Sequence, residues 1–156
     1  MIPGLAMAHD PGLSGVRIIL NSGNYVVSVT THISRLLKAD HLTGNPKDPE
    51  LVSALSNRLK LKVDGKSYRS TDRHLILDRA NDMIILQSTA SGTPKTWEFG
   101  AKIYPDDSSS TTVCDVVQNG KSIYLKVLTG GRTNAPTQNS AGSVVFEFLK
   151  QGTLHI

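Results

Sequence analysis

Five histidines (His9, His32, His41, His74 and His155) and one cysteine, Cys114, are the side chains of this 156-residue chain best suited to proton transfer, nucleophilic attack or metal ligation. Their spacing points away from all three. No pair of histidines matches a metal motif, and none sits in a catalytic signature. Cys114 alternates within an apolar run, the setting of a small buried hydrophobe rather than of a nucleophile. No G-x-S-x-G elbow, phosphate-cradling loop or paired-carboxylate motif occurs. The chemistry expected is recognition without catalysis, with no metal and no cofactor implied.

Charge narrows the partners. The formal net charge is +4, but the cations are scattered and form no run that would track a phosphate backbone, so a nucleic-acid partner is not expected. The densest set, Arg58, Lys60 and Lys62, alternates. Period-2 geometry would put it on a solvated outer face with Leu59, Leu61 and Val63 turned inward, a simpler reading than a phosphate site. A single cysteine permits no intrachain disulfide and makes a cytoplasmic setting the default. Residues 1–9 lack the basic start and apolar run of a signal peptide, and no stretch approaches the roughly 18 apolar residues of a spanning helix.

The elements that must position any site read as strands. Residues 113–127 place Asn119-Gly120 between two apolar, β-branched runs, a hairpin signal because a two-residue turn needs positive φ at both positions. Looser versions occupy residues 16–29, turning at Ser22-Gly23, and 74–87, turning at residues 78–82. Each is followed by a polar loop and a third short strand, at residues 59–63, 96–99 and 144–148. Asp64-Gly65 predicts a further turn, leading to a strand at 67–70, and more strands are expected at 101–104 and 153–156. In the first unit Ile33, Leu36 and Leu37 predict a short helix. Asp48 as N-cap with Pro49 at the first helical position predicts another over 49–56. Pro3, Gly4, Pro11, Gly12 and Gly15 make residues 1–15 an irregular leader, and residues 16–156 read as one domain.

One strand–hairpin–strand–loop–strand unit is thus written three times. On Gly23–Val27 (GNYVV), Lys121–Leu125 (KSIYL), Thr96–Phe99 (TWEF) and Val145–Phe148 (VFEF), the pattern resembles a β-trefoil. That resemblance implies an all-β fold of about twelve strands with three-fold pseudo-symmetry and a helical insertion in the first repeat. The alternative is a jelly roll or other β-sandwich. Trefoils without disulfide or signal peptide are similar to two groups, the ricin-B-like lectins and the mushroom mycocypin-type protease inhibitors.

These relatives imply different sites. A lectin needs aromatic platforms, and aromatics are only 5% of the chain. Trp97 and Tyr124 are its candidates, although the Gln-x-Trp signature of ricin-type repeats is missing and Trp97 would serve equally as a core cap. An inhibitor needs only exposed loops held near their bound shape. The candidates are Gly23 and Asn24 in the first turn, Asn81 in the second, and Arg35 and Lys38 in the intervening loop. By resemblance to mycocypins, Gly23 would occlude a papain-like cleft and Asn81 an asparagine-specific one. Arg35 or Lys38 would suit a trypsin-like pocket through a paired acidic group. The simpler account of Gly23 and Asn81 is that tight turns demand positive φ. Protease inhibition is the expected function, glycan binding the first alternative and a self-assembling coat protein the second.

Overall fold

A computed structural model describes residues 12–69 and 72–130, and within them the local signals become the hairpins they predict. Strands β1 (Leu13–Leu20) and β2 (Asn24–His32) turn through Gly23 at φ +83°. The Asp64-Gly65 turn, with φ of 50° and 80°, joins β3 (Leu61–Val63) to β4 (Lys66–Ser67). Strands β5 (Arg73–Asp78) and β6 (Met83–Ser91) follow, then β7 (Trp97–Phe99). Asn119 and Gly120, at 54° and 74°, join β8 (Thr111–Gln118) to β9 (Lys121–Thr129). The protein is predominantly β, with two short helices, α1 (Ile33–Ala39) and α2 (Asp48–Arg58).

The three hairpins do not surround a three-fold axis. They lie side by side in one six-stranded sheet of order β5-β6-β2-β1-β8-β9, and β4-β3-β7 forms a second, smaller sheet. The first and second hairpins meet through the antiparallel pair β2/β6, the first and third through the parallel pair β1/β8. Two unlike junctions cannot be related by three-fold symmetry. The described residues therefore hold nine strands in two sheets rather than the expected twelve in three equivalent units. The strands expected at 144–148 and 153–156 lie outside the described residues.

Several element boundaries differ from expectation. Strand β1 begins at Leu13, because Thr111 N–H reaches back to Gly12 O at 2.7 Å and draws the end of the expected leader into the sheet. The N-cap of α2 is Lys47, so Asp48 is the first helical residue, and α2 runs on to Arg58. Arg58 is consequently the last turn of a helix, not part of an alternating strand with Lys60 and Lys62. Residues 101–104 form no strand: Ile103 N–H donates to the Thr112 hydroxyl at 2.9 Å and its carbonyl accepts from Arg58 at 3.0 Å, so side chains take the place of a ladder. Of the strand expected at 67–70, the described residues hold only the short β4, Lys66–Ser67, and residue 70 lies outside them.

One face of the large sheet holds the core. Alternate residues Val16, Ile18, Val27, Val29, Ile84 and Leu86 pack beneath Ile33 and Leu36 of α1, and Leu51 and Leu55 of α2. The small sheet closes the same core with Leu61, Val63 and Phe99. Leu61 and Val63 are thus turned inward as the alternation predicts. The opposite face carries a smaller apolar group of Leu13, Met83 and Val113, and the Arg17–Asp115 ion pair.

Tyr104 fastens the helices to the chain between β7 and β8. Its hydroxyl joins a buried chain through Thr31 to Ser14, at 2.8 and 3.0 Å. The guanidinium groups of Arg35 and Arg58 both lie over its ring, at 4.9 and 5.0 Å from the centroid. Burial of the ring pushes its phenol upward in pKa, against the lowering effect of the Thr31 bond and the two arginines.

Candidate functional site

The parallel pairing of β1 with β8 sets Leu20 opposite Gln118, so the first and third hairpins turn at the same end of the sheet. Antiparallel pairing sets Asn24 opposite Ser91, and Gly92 N–H donates to Gly23 O at 2.9 Å. Two hairpin turns, at residues 21–24 and 118–121, and the end of β6 at residues 91–93 therefore stand in a row. Their residues are Asn, Ser, Gly, Thr, Gln and Lys, and all are exposed. The first is closed twice over, by Asn21 N–H to Asn24 O at 2.9 Å and by Asn21 Nδ2 to Asn24 Oδ1 at 3.1 Å. Gly23 has nothing within 4 Å of where a Cβ would stand, so its backbone is open to close approach.

The remaining candidates lie at the other end, and Arg35 and Lys38 stand on helix α1 rather than in the expected loop. The β5–β6 turn stands beside the start of α1, since Ile33 N–H donates to Asp82 O and Ser34 N–H to Asp82 Oδ1, both at 3.0 Å. Asn81 is folded inward: its backbone N–H and Nδ2 reach the two carboxylate oxygens of Asp78 at 3.2 and 2.8 Å. Its side chain closes the turn rather than projecting from it. Arg35 is held by Asp107 and by the Tyr104 ring, which commits its guanidinium to the fold. Lys38 is exposed on α1. Gly23 and Asn24 are thus separated by the length of the sheet from Asn81, Arg35 and Lys38.

The two aromatic candidates, far apart in sequence, meet. Trp97 and Tyr124 pack edge to face with centroids 5.9 Å apart, and Phe99 stacks on Tyr124 at 6.0 Å. Tyr124 is 37% exposed and lies between Ile123 and Leu125, which are also exposed. The three are consecutive residues of β9, the last strand of the described sheet.

A cavity of about 590 Å³, which no sequence signal announced, lies between the core face of the large sheet and the β3–β4 segment. Its floor is Val27, Val29, Leu61 and Leu86, and its exposed lining includes Lys60, Lys62, Arg69 and Arg73. Lys60 and Lys62 carry the alternation noted above; Arg69 and Arg73 come to the same rim only because β5 pairs at the sheet edge, placing Arg73 opposite Ser88. Among the described residues no group of His, Cys, Asp or Glu could hold a metal ion, and no helix is long and apolar enough to cross a membrane. Cys114 is buried, and desolvation pushes its thiol up to about 12, opposite to the shift a nucleophile needs. No protein-family model and no curated protein matches the chain.

Proposed function

We propose that the protein is a non-enzymatic binder that inhibits a protease by inserting into its cleft the row formed by the hairpin tips at residues 21–24 and 118–121 and the end of β6 at residues 91–93. The observation that carries this reading is the side-by-side placement of the first and third turns by the β1/β8 pairing. Strand-paired tips lose little conformational freedom on binding, and small side chains allow backbone to approach backbone closely. A cysteine protease with a papain-like cleft fits best, because Gly23 offers an uncovered backbone while Asn81 and Arg35 are engaged within the fold. The test is incubation with a papain-like, a trypsin-like and an asparagine-specific protease. Inhibition of the first should be lost in Ser22→Trp, an exposed position, with circular dichroism unchanged. Gly23→Glu should act alike, with added strain from its positive φ. Absence of inhibition at micromolar protein in all three assays overturns the reading.

A second reading, glycan binding at Trp97 and Tyr124, is favoured by the contact between their rings and the exposure of Tyr124. A glycan array with no hits removes it. The same exposed strand would serve a self-assembling protein, and light scattering that shows a monomer at high concentration removes that third reading.

A further inference from the structure

We infer that the cavity between the large sheet and the β3–β4 segment binds a small amphiphilic anion, an apolar body ending in a carboxylate or phosphate group. Its size falls within the roughly 300–1,000 Å³ typical of small-ligand sites. The chemistry is divided. The floor of Val27, Val29, Leu61 and Leu86 is aliphatic and belongs to the main core, so it would desolvate an apolar group. The rim carries four cations, Lys60, Lys62, Arg69 and Arg73, against one lining carboxylate, Glu98. A cleft lined by one sign of charge above a low-dielectric wall concentrates its field and draws in the opposite charge.

The rim cations are not all explained by the fold. The ion pairs seen among the described residues include Arg17–Asp115, Arg35–Asp107 and Arg58–Asp40, and these do not use Lys60, Lys62 or Arg69. The wall is otherwise preorganised. Tyr68 is hydrogen-bonded to Ser88 through their hydroxyls and packs on Tyr25 at 6.1 Å, and Gly100 N–H fastens Lys60 O at 2.7 Å. Lys62 stands on β3, paired on both sides and opposite Glu98, with Lys60 two residues before it, and Arg69 and Arg73 complete the cationic lining, so one anionic head is offered several cations.

Calorimetric titration with decanoate, decyl phosphate, inorganic phosphate and decyltrimethylammonium, each below its micellar concentration, tests the inference. Both decyl anions should bind more tightly than inorganic phosphate, the cation should not bind, and added salt should weaken the anions. The tighter of decanoate and decyl phosphate identifies the head group. Lys62→Glu with Arg69→Glu should weaken anion binding by about tenfold or more through loss of charge-assisted contacts. Lys47→Glu with Arg79→Glu, the same charge change on exposed positions away from the cavity, should leave it unaltered. Ser56→Trp, on the α2 wall, should block the apolar body. Equal binding of the decyl cation, no binding of either anion, or native affinity in a folded Lys62→Glu/Arg69→Glu protein would overturn the inference.

Discussion

Arg17 and Asp115 face each other across the parallel β1/β8 pair, with the guanidinium Nε 3.1 and 3.2 Å from the two carboxylate oxygens and the Asp115 side chain 2% exposed. The pair sits where two hairpins that could have assembled in other ways are joined. Removing one partner strands a buried charge. Asp115→Ala should therefore cost about 3 kcal/mol in urea unfolding, whereas Arg17→Met with Asp115→Leu should be nearly neutral. Burial raises the Asp115 carboxyl above its ordinary value, Arg17 opposing it. Only between the ordinary and the raised values does the folded state hold a proton that the unfolded state has released. Stability should accordingly fall as pH rises from the ordinary carboxylate value to the raised folded one, a slope that Asp115→Asn abolishes.

Cys114 should be silent to thiol reagents in the native protein. Its thiol is buried and pushed up to about 12, mainly by desolvation. Native protein should react with a disulfide reagent only at the rate of opening, and denatured protein should release one equivalent at once, the chain having one cysteine. Because the folded pKa exceeds the unfolded one, this group's contribution is complete below the ordinary thiol value and declines as pH rises past it.

Asp64 should make the β3–β4 turn acid-sensitive. Its Oδ1 accepts N–H groups of Lys95 and Thr96 at 2.9 and 3.0 Å, and these bonds lower its pKa. A depressed carboxylate contributes stability above its unfolded pKa and loses it as pH falls through the folded one. Protection of the Lys95 and Thr96 amides relative to their intrinsic exchange rates should fall in acid, and Asp64→Asn should lower that protection at neutral pH.

Tyr104 should be the costliest single truncation between β7 and β8. Tyr104→Ala removes a ring only 2% exposed and should cost about 3–5 kcal/mol in thermal or urea unfolding. Arg35→Ala and Arg58→Ala, each removing one cation from the ring, should cost about 1 kcal/mol apiece beyond their ion pairs.

What the sequence by itself determined is local. Asn119-Gly120 and Asp64-Gly65 announce their turns because positive φ is tolerated by few residues, and that constraint acts within two positions. The alternation in β1, β2 and β6 marks a core face because the strand period is two. The helices over Ile33–Ala39 and Asp48–Arg58 were likewise legible in apolar spacing and Pro49. The assembly of the hairpins was not. Three similar units suggested three equivalent neighbours, yet the edges of similar hairpins present the same backbone groups to parallel and antiparallel partners alike, and burial chose β1/β8 and β2/β6. Only that choice aligned the tips around Gly23, turned Asn81 and Arg35 to the opposite end, and brought Trp97 to Tyr124. It also carried Arg73 to the same rim as Lys60 and Lys62, since a cavity between two sheets exists only once both have packed on one core.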